Sequence, residues 1–124
     1  MGAPKERLQS LLTELRARAS ADSAALARDV EDKGEDTTPS QHPADVASDL
    51  YAREELLTER LALAAEIEEV ETALHRLAMG TYGLCIDCGA SIDQARLDAR
   101  PQAARCITCQ RRLEERRARS RVRA

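Results

Sequence analysis

Large aromatic side chains are almost absent from this sequence of 124 residues. It has no Trp and no Phe, and its aromatic residues are Tyr51 and Tyr82. The apolar residues are mostly Ala and Leu, which pack helix seams better than they fill a wide globular core. Because 33% of the residues are also charged, the composition favours elongated helices with one narrow buried stripe over a compact ball.

Long apolar runs are missing as well. No stretch approaches the roughly 18 consecutive apolar residues of a membrane span, and residues 1–7 lead into a charged helix rather than a signal segment. We therefore expect a cytoplasmic protein without membrane association. In a chain of that kind, four cysteines in two tight pairs are more typical of metal ligands than of disulfides.

Two segments have the periodicity of amphipathic helices. Apolar residues recur at spacings of four and three over about residues 4–30, and at spacings of seven over about residues 44–79. Turn-forming and charged residues with two prolines fill residues 31–43. Since neither helix has an apolar face wide enough to be stable alone, we predict an antiparallel coiled-coil hairpin over residues 1–79, with 31–43 as its tip loop.

The cysteines form two C-x2-C pairs, Cys85 with Cys88 and Cys106 with Cys109, separated by 17 residues. This spacing is typical of a four-cysteine zinc module. Four thiolates leave the ion no open position for water or substrate, so we predict one structural Zn²⁺. The ion would stabilise a finger over residues 80–110 that is too small for a core of its own. The competing interpretation is a redox-active dithiol or two disulfides, although the strand–helix framework of a C-x-x-C enzyme is not evident.

The C-terminal segment, residues 111–124, is strongly basic. It carries seven Arg and two Glu, which gives a charge of +5 in a chain of net charge −3. We predict an Arg-rich helix or tail that meets nucleic acid or an acidic protein surface, or that is simply a solvated helix end. Acidic residues dominate the rest of the chain, which disfavours general duplex DNA binding, and we expect no sequence-specific DNA binding.

The finger residues also match a known pattern. The matching run is Gly80, Thr81, Tyr82, Gly83, Leu84, Cys85, Cys88, Gly89, Ile92, Arg96, Leu97, Ala99, Arg100, Pro101, Cys106, Cys109 and Gln110. It closely resembles the zinc finger of the DksA/TraR family, and with the preceding hairpin the resemblance covers about residues 40–115. The resemblance implies a mainly α protein that binds bacterial RNA polymerase, inserts its coiled-coil tip into the secondary channel and changes transcription initiation without catalysis.

The tip of the family's hairpin carries an Asp-x-x-Asp-x-Ala pattern, which corresponds here to residues 42–47. The second acid and the alanine are kept as Asp45 and Ala47, while His42 stands at the place of the first acid. The resemblance implies that Asp45 is the acidic residue presented to the polymerase, with Ala47 supporting it and His42 beside it. Without the family pattern, Asp45 would be interpreted as an ordinary first-turn acid that interacts with the helix dipole.

Some members of the family respond to the nucleotide alarmone ppGpp through basic residues near the coiled coil and the finger. Arg100 fits that pattern as a possible basic contact, whereas Glu69 and Gln110 stand where the resemblance leads us to expect basic residues. Because an acid repels a polyphosphate, a ppGpp site of that design is disfavoured.

Three classes of function are compatible with these observations. The first is the polymerase-channel regulator. The alternatives are a zinc-dependent nucleic-acid-binding or adaptor protein that uses the Arg-rich tail, and a thiol-based redox protein. We expect no enzyme, because His42 and His75 have neither a neighbouring nucleophile nor an open metal to serve. We also expect a monomer, because the intramolecular hairpin already uses the apolar seam.

Overall fold

The computed structural model describes residues 3–35 and 43–123. That part of the chain forms the helices α1 (Ala3–Glu35), α2 (Pro43–Met79), α3 (Gln94–Ala99) and α4 (Ile107–Arg123). An isolated antiparallel bridge joins Leu84 to Ser91. The predicted mainly helical fold, with a helical hairpin, a small finger and a C-terminal helix, is confirmed. Among the described helices, none combines the length and the apolar character needed to cross a membrane.

Helix α1 is longer than the sequence pattern indicated. It extends to Glu35, beyond the expected end near residue 30, so the first part of the predicted tip loop is helical. The reason is local propensity: Glu31, Lys33 and Glu35 favour helix, and a single glycine at Gly34 costs only about 1 kcal/mol. The rest of the predicted loop, residues 36–42, lies outside the described residues.

Both ends of helix α2 follow from sequence signals. Pro43 occupies the first position, where its missing N–H costs nothing, and Asp45 lies in the first turn. At the other end Gly80 has a φ of 79°, and Thr81 N donates to the carbonyl of Arg76 at 2.9 Å. This hydrogen bond and the positive φ make a Schellman motif, which ends the helix and starts the finger.

The chain divides into two compact units. Residues Met1–Leu11 and Glu69–Ala124 form one, which we call the finger unit, and Leu12–Glu68 form the other, the hairpin unit. The finger unit groups the start of α1 with the end of α2, and the hairpin unit groups the rest of α1 with the earlier part of α2, so the two helices pair antiparallel. The division falls within both long helices, and the predicted domain limits at residues 79 and 110 stay a prediction.

The hairpin unit is held by a short apolar seam. Leu12 and Leu15 of α1 and Leu63 of α2 are buried, and each buried leucine is worth roughly 2 kcal/mol. An ion pair, Arg18 Nη2 to Glu59 Oε1 at 3.7 Å, connects the two helices beside this seam. Since both charged side chains are about half exposed, the pair adds little to stability. It shows which turns of α1 and α2 lie side by side.

The finger unit has two small clusters of buried side chains. Leu8, Val70 and Ala73 are buried on the two long helices. The second cluster lies in the finger itself and contains Cys85, Ile92, Leu97, Ala103 and Cys109, with Tyr82 and Cys106 packed against it. Because cysteines make up so much of this second cluster, the finger depends on what its sulfur atoms bind.

Candidate metal centre

The first cysteine pair lies in a tight turn. The backbone N–H of Cys85 donates to the carbonyl of Ala90 at 2.7 Å, and that of Gly89 donates to the carbonyl of Cys85 at 2.9 Å. Gly89 has a φ of 75°, in the left-handed region that a side chain disfavours. The glycine therefore lets the chain turn back immediately after Cys88, which brings its sulfur beside that of Cys85.

The second pair uses the beginning of a helix. Cys106 directly precedes α4, Cys109 lies in the first turn, and the backbone N–H of Gln110 donates to the carbonyl of Cys106 at 2.9 Å. The three-residue spacing within one helical turn brings both sulfur atoms to the same side. The positive end of the helix dipole favours thiolate charge there, so this pair needs no glycine.

Contacts between the two turns hold them together. The backbone N–H of Ile86 donates to the carbonyl of Ala104 at 2.9 Å. Arg105 Nε donates to Asp87 Oδ2 at 2.8 Å, and both side chains are less than 40% exposed. Asp87 lies between the first two cysteines and Arg105 directly precedes the third, so this ion pair fixes one cysteine pair against the other.

The four sulfur atoms form one compact group. All of them lie within 4.8 Å of one another, and Cys88 Sγ lies 3.9 Å from Cys106 Sγ. A tetrahedral zinc ion with Zn–S bonds of about 2.3 Å requires sulfur atoms about 3.8 Å apart. Cys85 and Cys109 are buried and Cys88 is exposed. The donor set therefore fits a closed tetrahedral zinc site with one face towards solvent.

The environment already favours a thiolate at one position. Burial acts to raise the pKa of Cys85, but hydrogen bonds from the backbone at Cys106, Cys88 and Asp87 outweigh it and lower the pKa to about 6. Cys109 differs, because hydrogen bonding with the side chain of Cys106, together with burial, raises its pKa to about 12. Of these two buried thiols, Cys85 is therefore the one that loses its proton more readily.

Side chains around the finger hold the loop between the two cysteine pairs. Tyr82 Oη donates to the carbonyl of Pro101 at 2.9 Å, and Arg96 Nε donates to the carbonyl of Arg105 at 2.9 Å. The irregular loop has no neighbouring β-strand to bond its backbone carbonyls, so each of these hydrogen bonds gives one carbonyl a donor. The loop that leads into the third cysteine is thus tied to the start of the finger and to α3.

The long helices also contribute to the finger unit. Arg76 of α2 donates to the carbonyls of Thr81, at 3.0 Å, and Leu84. Arg7 of α1 lies 3.8 Å from a carboxylate oxygen of Asp98 and donates to the backbone carbonyl of the same residue. Both arginines were missed by sequence reasoning, because an arginine on a helix surface gives no signal of a partner far along the chain.

Known proteins match the chain over the same region. The profile of the prokaryotic dksA/traR C4-type zinc finger matches residues 80–115. An uncharacterised protein of Bacillus subtilis, YteA, is 36% identical over 70 residues, which are 56% of this chain and 29% of YteA. The RNA polymerase-binding transcription factor DksA of Caulobacter vibrioides is 42% identical over 50 residues, or 40% of this chain and 35% of that protein. The chain thus spans about a third of the length of these relatives.

A solved structure extends the match beyond the finger. Transcription factor DksA2 from Pseudomonas aeruginosa superimposes with a TM-score of 0.71 and 32% sequence identity, covering 93% of this chain and 83% of that one. The chain belongs to the DksA/TraR family. The family's C4-type finger and the four converging sulfur atoms agree on one structural zinc ion, which confirms the cofactor predicted from the spacing. In this DksA/TraR finger the bound ion joins the two cysteine turns.

The other predicted site residues of this DksA/TraR protein lie elsewhere. Asp45 and Ala47 are exposed in the first turns of α2, within the hairpin unit. His42 lies outside the described residues. Arg100 is in the finger unit, where its Nη2 lies 3.5 Å from Glu69 Oε2. The roles given to these residues stay predictions.

A buried glutamine in the same finger was not predicted. Gln102 is 7% exposed, and its Oε1 has no hydrogen-bond partner within the described part of the chain. A buried polar atom without a partner costs about 1–3 kcal/mol. The sequence holds no signal for its burial, since one glutamine in a short irregular loop has no periodicity.

Proposed function

We propose that this protein is a non-catalytic regulator that binds bacterial RNA polymerase, inserts the end of its helical hairpin into the secondary channel and modulates initiation. One observation carries the proposal: the match to transcription factor DksA2 covers 93% of this chain, so it includes the hairpin as well as the finger. A relative with the same finger is an RNA polymerase-binding transcription factor by name. The likeness in both parts supports the same partner for this chain.

The hairpin supplies the acting group in this proposal. Asp45 is exposed in the first turn of α2, and Ala47, two residues further along the helix, is exposed as well. An exposed carboxylate on a rigid helix end can interact with the basic groups and metal ion of a nucleotide-polymerising site. We assign Asp45 the effect on transcription, and Ala47 and His42 the support of its surroundings.

The zinc site serves as a structural part in this mechanism. Four thiolates occupy every position of a tetrahedral ion, so no position remains for water or a substrate. His75 is exposed on α2. We therefore propose that the protein acts on transcription through binding alone, as a monomer and in the cytoplasm where the polymerase works.

The proposal gives ppGpp no major role. Arg100, the basic residue that the family resemblance points to, is already paired with Glu69. Gln110 donates to Glu114 at 3.1 Å, so a second acid lies close to the same region. A polyphosphate would have to displace one acid and approach another, which opposes its binding.

The experiment that tests the function is competition on purified core RNA polymerase. The zinc-loaded protein is titrated against a labelled secondary-channel factor, and mutually exclusive binding is the expected result. A control polymerase preparation saturated with a factor that binds outside the channel should leave the affinity unchanged. Absence of binding, or binding alongside the channel factor, would contradict the proposed site.

A further inference from the structure

Helix α4 carries a concentration of positive charge that the proposed function does not use. Its 17 residues contain seven Arg and no Lys, against Glu114 and Glu115. Leu113 is half-buried, and every residue from Glu114 to Val122 is exposed. Beyond Leu113, therefore, α4 has no face packed against the rest of the described chain.

Three of these arginines form a stripe. Arg112, Arg116 and Arg119 follow one another at spacings of four and three, so they lie on one face of α4. Together with Ile86 and Asp87 of the first cysteine turn, they line a groove of about 590 Å³. We call these three residues the arginine stripe.

The arginine stripe is not neutralised by its own protein. No ion pair joins Arg112, Arg116 or Arg119 to an acid among the residues that the structure describes. Two acids border the groove, Asp87, which is bound to Arg105, and Glu115. The zinc ligands Cys88 and Cys109 line it as well, and four thiolates on one Zn²⁺ leave a net charge of −2 beside the stripe. Three guanidinium groups, each able to make bidentate hydrogen bonds to an oxyanion, are thus available on one face.

The residues that line the groove favour nucleic acid over an acidic protein as the partner. A protein interface needs an apolar centre, and Ile86, 49% exposed, is the one large apolar side chain among the described residues that line this groove. Nucleic acid needs no such centre, because phosphate contacts dominate its affinity. Single strands bind largely by stacking on aromatic rings, and none lines the groove.

We propose that the arginine stripe binds the phosphate backbone of double-stranded nucleic acid without reading its sequence. Three arginines on one helix face can contact successive phosphates, and phosphate contacts carry no sequence information. The interaction is therefore electrostatic, weak and strongly dependent on salt.

The overall charge of −3, which disfavoured duplex binding at the level of the sequence, does not oppose this interaction. Charges on a solvated surface are screened over about 8 Å at physiological salt, so the charges close to the stripe matter more than the net charge of the chain. Within α4 seven Arg stand against two Glu, so the helix stays positive even beside the net charge of −2 of a zinc ion with four thiolates.

Fluorescence anisotropy with a short labelled DNA duplex, repeated with a second duplex of unrelated sequence, tests the proposal. Three phosphate contacts predict a slope of about −2.7 for the logarithm of affinity against that of salt, a loss of about 40-fold between roughly 50 and 200 mM. Equal affinity for both sequences is expected. A clear preference for one duplex, or binding that is independent of salt, would overturn the proposal.

A pair of matched variants separates the stripe from net charge. Arg112→Gln, Arg116→Gln and Arg119→Gln together should weaken binding by at least about tenfold and reduce the salt slope by about 2.7. The control combines Arg111→Gln, Arg117→Gln and Arg121→Gln, which removes the same charge from the other sides of α4. Equal loss in both variants would show that charge alone matters and would refute the stripe. Glutamine is a good helix former, and far-UV circular dichroism with zinc content verifies folding.

The same stripe variant, measured in the polymerase competition, keeps the two proposals apart. If the stripe variant loses duplex binding but still binds polymerase, the result supports a separate nucleic-acid surface. If the unmodified protein does not bind duplex and the variant loses polymerase, the stripe is a protein-docking surface, and the nucleic-acid proposal fails while the polymerase proposal stands. If the protein binds duplex but never polymerase, the polymerase proposal alone fails.

Discussion

Arg100 holds its Nη2 atom 3.5 Å from Glu69 Oε2, joining the finger to the final part of α2 inside one compact unit. Both side chains are 50% exposed, so the pair contributes less than about 1 kcal/mol to stability. Its effect is on charge: a guanidinium that would attract a polyphosphate is neutralised by a carboxylate of the same protein.

Replacing Glu69 tests this effect. We expect little binding of labelled ppGpp to the protein or to its complex with polymerase, and Glu69→Gln should increase that binding by freeing Arg100. Glu68→Gln makes the same charge change on the neighbouring residue and is the control. Strong ppGpp binding by the unmodified protein, unchanged in Glu69→Gln, would show that the pair does not matter.

The zinc site is tested at its exposed ligand. Cys88→Ser should abolish binding of the ion and unfold the finger, because the remaining three sulfur atoms lie around an incomplete tetrahedron. Most of the helical signal at 222 nm should remain, since the long helices contribute most of it. Thr108→Ser, an exposed change within the second cysteine pair, should retain one zinc per chain. Full zinc content in Cys88→Ser would contradict a four-thiolate site.

The proposed role of Asp45 predicts a separation of binding from activity. Asp45→Asn removes a charge at the exposed first turn of α2 while preserving the side-chain shape, so affinity for polymerase should change less than about threefold. The effect on transcription in vitro should be lost. Asp49→Asn, one turn further along the same helix, should keep both properties. Parallel loss of binding and activity in Asp45→Asn would make this helix end a docking surface.

The hydrogen bond between Tyr82 and Pro101 predicts a stability effect that depends on pH. Tyr82→Phe should lower the free energy of unfolding by about 1 kcal/mol at neutral pH, measured by urea denaturation of the zinc-loaded protein. Burial of the phenol raises the pKa of Tyr82 above its ordinary value. The folded state therefore favours the neutral phenol, and its contribution is complete below about pH 10 and lost as the pH rises through the raised pKa. A difference between the two proteins that stays constant beyond that range would count against this hydrogen bond.

The parts of the structure that sequence reasoning predicted are those determined by local spacing. Two residues between cysteines allow only a tight turn, and the heptad positions Leu63 and Val70 are indeed buried. The predicted end of α1 near residue 30 was wrong. The helix continues through Gly34, because one glycine does not end a helix rich in Glu and Lys.

Other features depend on partners that are far apart in the sequence. Ala73 is buried, whereas its neighbour Leu74, which fits the apolar pattern better, is only partly buried. Arg7 and Asp98 are separated by 91 positions, and nothing in either neighbourhood indicates the other. Gln102 is buried by the loop around it, and a propensity scale takes no account of that environment.

The pairing of Arg7 with Asp98 has a consequence for how a cell makes this protein. Ribosomes add about 5–20 residues per second, so the first turns of α1 wait on the order of 5–20 seconds before their partners in the finger are synthesised. During that interval Arg7 lacks its partner Asp98, whereas the hairpin unit, closed by Glu68, already has all of its residues. In the nascent chain the hairpin unit is therefore complete first. The finger unit, which contains both ends of the chain, folds only after the cysteines have been synthesised and have bound their metal ion.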